Sequence, residues 1–136
     1  MNIALSIDSI APNHIQENET FKVTWTLSAS ETFETRSVVV TLLTDDARLV
    51  LLDPKSQESP PEVPMSLAPG QKVSRTVQVM IQKRKGLIDE PARDGNSSPF
   101  FVLGRVRHDN DVLASSGGVE VEMTGLARRA AHRVFL

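Results

Sequence analysis

The chain has 136 residues, of which 40% are hydrophobic and 24% charged, with a formal net charge of -2 at pH 7. This length and balance predict one folded domain, and the small net charge predicts no nucleic-acid partner, because nucleic-acid-binding domains usually carry a strong basic excess. The absence of cysteine excludes disulfides, thiolate nucleophiles and zinc sites built on cysteine.

A hydrophobic period of two residues dominates the first half of the chain. Apolar and polar residues alternate over 3–7 and 21–27, which is typical of strands with one face in a core. Residues 37–44 carry apolar groups on both faces and predict a strand that is central in its sheet or lies under a covering loop. The acids at 45–46 separate that strand from the apolar run at 49–52, and this pattern predicts a hairpin.

The second half alternates in the same way but contains two long predicted loops. The first loop, residues 53–65, holds four prolines, which disfavour both a helix and a central strand. A strand follows around 73–81, and then a second loop over 86–99. Residues 100–107 and 119–123 predict the last strands. In the strand at 100–107, one face is predicted to hold Phe100, Val102 and Val106, and the opposite face Phe101, Leu103, Arg105 and Arg107. The two phenylalanines are interpreted as core residues and not as a stacking platform.

The C-terminal segment has a different composition. Residues 126–136 contain three arginines and no acidic residue. We therefore divide the chain into a β domain over 1–124 and a short cationic amphipathic tail over 125–136, which is helical or extended. The predicted fold class is all-β: an immunoglobulin-like antiparallel β-sandwich of about seven to eight strands with two long loops.

Three stretches carry a family resemblance. Residues 18–27 (NETFKVTWTL) are similar to the second strand of bacterial immunoglobulin-like modules, and 66–73 (SLAPGQKV) to the entry of a later strand. Residues 106–113, followed by 117–121, are similar to their closing hairpin. The chain thus resembles the CARDB-like group, the cell-adhesion-related domain found in bacteria. That resemblance implies an immunoglobulin-like sandwich and an adhesion-type binding role.

No set of residues predicts catalysis. His14, His108 and His132 lie in an early loop, at a hairpin tip and in the tail, so they are not expected to converge. There is no Gly-x-Ser-x-Gly elbow and no glycine-rich phosphate loop before a helix. We predict that the chain is not an enzyme, with no catalytic residue and no cofactor.

Acidic turns are the weak candidates for a metal site. Asp109 and Asp111 flank one turn, and their carboxylates are of the kind that calcium prefers. The stronger interpretation is structural, because Asp and Asn tolerate turn geometry and bond to their own backbone.

Three functions remain open. The first is a non-catalytic protein-interaction or adhesion-type module that contacts another protein through the second loop, or by adding a strand at a sheet edge. The second is a structural subunit that assembles with itself through the tail or its strand edges. The third is a calcium- or carbohydrate-binding module. The predicted contact residues are Asp89, Arg93 and Asn96 in the loop and Arg128, Arg129 and Phe135 in the tail.

The compartment is left open by the same sequence. No stretch approaches the ~20 apolar residues of a membrane helix, so no integral membrane segment is predicted. The N-terminus lacks the basic and apolar regions of a signal peptide, which predicts a cytoplasmic protein. If Met1 stands in place of a removed signal, the prediction becomes extracellular or cell-surface.

Overall fold

The structure is a computed structural model that describes residues 2–56, 60–84 and 97–124. Those ranges contain ten β-strands and no helix, so the all-β class is confirmed. The ten strands are β1 Ile3–Ala11, β2 His14–Gln16, β3 Thr20–Ala29, β4 Arg36–Thr44, β5 Leu49–Leu52, β6 Glu62–Leu67, β7 Lys72–Lys83, β8 Ser97–His108, β9 Asp111–Ser115 and β10 Val119–Thr124. The predicted tail, 125–136, lies outside the described residues.

The strands form two sheets. One has four strands in the order β1-β3-β7-β5, and the other has six, in the order β2-β10-β8-β4-β6 with β9 also paired to β8. The expectation of purely antiparallel pairing is wrong at one place, because β2 runs parallel to β10. Only Pro12 and Asn13 separate β1 from β2. The chain therefore enters the second sheet without reversing its direction.

Side chains from both sheets form one core cluster. Phe21, Val23, Trp25 and Leu27 of β3 are buried, and the alternation predicted for this strand is confirmed. From the six-stranded sheet, residues such as Phe100 join the same cluster. Because burying one large apolar side chain contributes about 1.5–3 kcal/mol, this shared core accounts for the pairing of the sheets.

The β4 strand is central, which is the first of the two positions that its apolar composition predicted. It pairs with β6 on one side and β8 on the other, with Val38, Val40 and Leu42 buried in the core. The hairpin predicted after it is wrong. Leu49–Leu52 pairs with β7 in the four-stranded sheet, so residues 45–46 form a corner between sheets instead of a hairpin.

The proline-rich segment is only partly a loop. Residues 62–67 form β6, which pairs with β4, so the predicted loop over 53–65 is too long. Pro64 lies opposite Val39 in this pair. A proline is accepted there because β6 is the edge strand of its sheet and needs ladder hydrogen bonds on one side only. The second predicted loop also ends early, since β8 begins at Ser97; residues 85–96 lie outside the described part.

The long strand β8 has two partners in succession along one edge. β10 pairs with residues 97–102 and β9 with residues 105–108. Between them the backbone of Gly104 exchanges hydrogen bonds with Ser116, at 2.8 and 2.9 Å. A Cβ at position 104 would lie 2.8 Å from Leu5, so glycine permits this close approach. Two strands that were not predicted, β2 and β6, raise the count in the described residues to ten, above the predicted seven to eight.

Candidate interaction surface

Six contact residues were predicted from the sequence, three in the second loop and three in the tail. Asp89, Arg93 and Asn96, and likewise Arg128, Arg129 and Phe135, lie outside the residues that the structure describes. Ser97 directly follows the first of these segments, and Thr124 directly precedes the second. These two are register partners at one end of β8 and β10, so the two segments join the sheet at neighbouring positions.

The weak metal candidates lie on the β8–β9 hairpin, as predicted for that turn. Asp109 has a φ of 53° and a side chain that is 88% exposed, with Oδ2 3.5 Å from His108 Nε2. Asp111 pairs with His108 at the start of β9 and is exposed. Within the described ranges, no three His, Asp or Glu side chains are grouped so that they could hold a metal ion.

The histidines within the described residues lie far apart. His14 Nε2 is 2.8 Å from Thr124 Oγ1, at the end of β10. His108 Nδ1 is 2.7 Å from the carbonyl oxygen of Ser37, at the far end of β8. Each ring is engaged by a local partner, and the length of β8 separates the two.

The outer face of the six-stranded sheet carries the exposed apolar surface. Among the described residues, two large hydrophobic side chains are exposed, Phe101 at 38% and Val112 at 55%, and both lie on this face. We call this surface the outer patch, and it also contains Leu43 and Leu103. Its other members are Val39, Arg105, Arg107, Glu62 and Glu120.

Alternation along β8 produces this surface. Phe100, Val102 and Val106 are directed into the core, so Phe101 and Leu103 are directed outward. The prediction that both phenylalanines belong to the core is therefore wrong for the second of them. The alternation predicted for this strand is confirmed, because it places Phe101 on the face opposite Phe100.

The register between strands orders the outer patch into rows. Leu43 and Leu103 are direct partners and form an apolar centre. On one side, Phe101 pairs with Glu120 of β10, and the Phe101 amide donates to Asp45 Oδ1 at 3.0 Å. The carboxylates of Glu120 and Asp45 therefore flank the Phe101 ring and make this side of the outer patch acidic.

The other side of the centre is basic. Arg105 pairs with Thr41 and is exposed, and Arg107 pairs with Val39. The Arg107 guanidinium donates to Glu62 Oε2 at 2.8 Å, an exposed ion pair of the kind that contributes about 0–1 kcal/mol. A shallow groove of about 430 Å³ adjoins this end, lined by Val39, Arg107 and their neighbours.

The outer face of the four-stranded sheet has a different chemistry. Hydroxyl groups on adjacent strands contact each other: Thr24 and Thr76 at 2.9 Å, and Thr26 and Ser74 at 2.8 Å. The Thr26 hydroxyl also donates to Asp8. Polar groups on this face thus satisfy one another across the strands, and no large apolar side chain of the described residues is exposed there.

A third surface lies near the start of β1. A groove of about 370 Å³ is lined by Ile3, Phe33, Arg36, Leu113 and neighbouring polar residues. The Arg36 guanidinium lies 5.4 Å from the centre of the Phe33 ring and occupies the open side of that ring. This arrangement is a cation–π contact within the chain.

Comparison with known proteins does not assign the chain to a family. No family model matches it, and no curated protein matches it. Among solved structures, the Pseudomonas fluorescens alkylpurine DNA glycosylase AlkC, bound to DNA with an abasic-site analog, matches with a TM-score of 0.49 and 15% identity over 89% of this chain and 30% of its own. A Listeria innocua β-glucosidase in complex with glucose matches with a TM-score of 0.48 and 16% identity, covering 92% of this chain and 16% of the enzyme.

These similarities carry no argument about function, because their TM-scores are below 0.5 and their identities are low. The chain also spans less than a third of either protein. The part of the chain that the structure describes contains no helix long and apolar enough to cross a membrane.

Proposed function

We propose that this chain is an immunoglobulin-like, CARDB-like β-sandwich module that binds another protein without catalysing a reaction. The strand order supports the fold assignment. The order β1-β3-β7-β5 corresponds to A-B-E-D of the immunoglobulin fold, and β4, β8 and β10 correspond to C-F-G. In this correspondence β6 is an additional edge strand, inserted between the fourth and fifth.

The outer patch is the observation that carries the binding role. Exposed apolar groups that cluster on one face, rimmed by charges, are typical of protein-interaction surfaces. Phe101 and Leu103 would be the buried anchors of such an interface, and Arg105 and Glu120 its polar rim. Among the described residues, the opposite face exposes no large apolar side chain, and its hydroxyl groups bond to one another.

The test is partner capture with matched variants. The full chain, carrying a photo-crosslinker at Ser115, an exposed residue that pairs with Arg105 at the rim of the outer patch, is incubated with extract from its native source. We expect Phe101→Glu to lower the amount of crosslinked partner about tenfold, which corresponds to about 1.4 kcal/mol. The melting temperature should fall by only a few degrees, because the ring is partly exposed but the new carboxylate lies opposite Glu120.

Gln78→Glu is the matched control. It adds the same charge to the exposed outer face of the four-stranded sheet, where Gln78 contacts Thr20 at 3.1 Å. We expect this variant to capture as much partner as the unaltered chain. Equal capture by both variants would contradict a binding role for the outer patch.

A further inference from the structure

We infer that the partner of the outer patch is a second copy of this chain, packed face to face in a symmetric dimer. This inference rests on the proposed function and names the partner. Its basis is the distribution of charge along β8. Outward from Leu103, one direction leads to Phe101 and the acids Glu120 and Asp45, and the other leads to Arg105.

The spacing makes this surface complementary to itself. Phe101 and Arg105 are each two residues from Leu103, so each lies about 7 Å from it along the strand. A two-fold axis that lies in the interface, perpendicular to the strands and passing through Leu103, reverses the strand direction. It therefore exchanges the positions of Phe101 and Arg105, as an isologous interface requires.

The contacts that result are favourable. Each Arg105 lies over the Phe101 ring of the other copy, which is a cation–π arrangement. The same guanidinium lies between the rows that hold Glu120 and Asp45, so opposite charges meet at both ends of the interface. Leu43 and Leu103 of the two copies meet at the centre. If the copies instead packed with their strands in the same direction, Arg105 of one copy would face Arg105 of the other.

The required area is available on this face. A standard interface buries about 800 Å² per partner, which is about a tenth of the 8029 Å² accessible surface of the chain. The outer patch draws residues from five strands, β4, β6, β8, β9 and β10. The face therefore offers a broad surface and not a single row of side chains.

Sedimentation velocity of the full chain, from micromolar to millimolar concentration, tests the dimer. We expect the mass to rise from the 14.9 kDa of one chain towards twice that value. Arg105→Glu and Glu120→Arg should each weaken association at least about tenfold, because each places like charges together twice in the dimer. Gln78→Glu should leave association unchanged.

Mixing the two charge variants is the decisive experiment. In a heterodimer of Arg105→Glu with Glu120→Arg, both charge contacts are again between opposite signs, so the mixture should dimerise where each variant alone does not. If the variants associate as the unaltered chain does, or if their mixture stays monomeric, the inferred interface is wrong.

Two further outcomes would overturn the inference without touching the proposed function. In the first, the unaltered chain remains a monomer at every concentration while Phe101→Glu still loses its captured partner; the outer patch then binds a different protein. Alternatively, the chain ending at Thr124 dimerises and the full chain does not. In that case residues 125–136 cover the patch of their own chain.

Discussion

Two acidic turns of this chain have similar sequences and opposite environments. Asp45 and Asp46 follow β4, and Asp109 and Asp111 enclose the turn after β8. Asp46 is 2% exposed. Its carboxylate accepts hydrogen bonds of 2.8–3.1 Å from the backbone amide, Nε and one terminal nitrogen of Arg48. The Asp109 carboxylate, in contrast, extends into solvent on a hairpin tip.

The destination of the next strand explains the difference. β9 returns along β8, so its turn stays at the sheet end, where polar groups are hydrated. β5 leaves for the other sheet, so the chain crosses the edge of the core at residues 45–48 and carries a carboxylate into it. A buried charge must be paired and hydrogen-bonded, and Arg48 meets both needs. The environment of an acidic turn thus depends on whether the next strand joins the same sheet or the other one.

The largest expected effect is at the buried carboxylate. Asp46→Ala removes the acceptor of three Arg48 donors and leaves a guanidinium that is only 22% exposed without this partner. We expect a loss of about 2–4 kcal/mol in the free energy of unfolding, measured in urea. Asp111→Ala, on the exposed turn, should change it by less than about 0.5 kcal/mol. Equal losses would mean that the two turns do not differ energetically.

The same contrast explains which parts of the fold could be predicted. Alternation placed the core face of β3 correctly, because burial of one face at every second residue is a local property of a strand. The sheet to which β5 belongs is not local. It depends on the pairing of Leu51 with Ile81, and the residues between β4 and β5 are equally compatible with a hairpin.

The strand β6 was missed for a related reason. Prolines argue against a central strand, but they do not exclude an edge strand, and edge position is known only once the partners are known. Pro64 lies on that edge opposite Val39. The sequence therefore showed correctly that this segment is not a central strand, but it did not show that β4 would be its partner.

The outer patch could be predicted only in part. Alternation alone places Phe101 and Leu103 on the face opposite Phe100, within a single strand. The partnership of Leu103 with Leu43, and of Phe101 with Glu120, joins strands that are distant in sequence. The patch is therefore a product of register, which no local pattern reveals.

A smaller effect is expected at the first acid of the corner. Asp45 extends the pairing of β4 with β8 beyond the strand end: its amide donates to the Phe101 carbonyl at 3.2 Å, and its carboxylate accepts the Phe101 amide. Asp45→Ala should cost about 1 kcal/mol and speed hydrogen exchange of the Phe101 amide. Asp45→Asn keeps an acceptor oxygen and should retain most of that protection. Unchanged exchange in the alanine variant would contradict this pairing role.

The smallest effect is expected from calcium at the exposed turn. Calcium takes 6–8 oxygen ligands, and Asp109 and Asp111 are not grouped with a third acidic or histidine side chain among the described residues. A site with a Kd of about 1 mM would add about 1.4 kcal/mol at about 10 mM calcium, a shift of several degrees in melting temperature. We expect no shift. A shift that Asp109→Asn abolishes would show that the carboxylates of this turn bind calcium. The two turns would then differ in the partner of the carboxylate, a metal ion in one and Arg48 in the other, and not in burial alone.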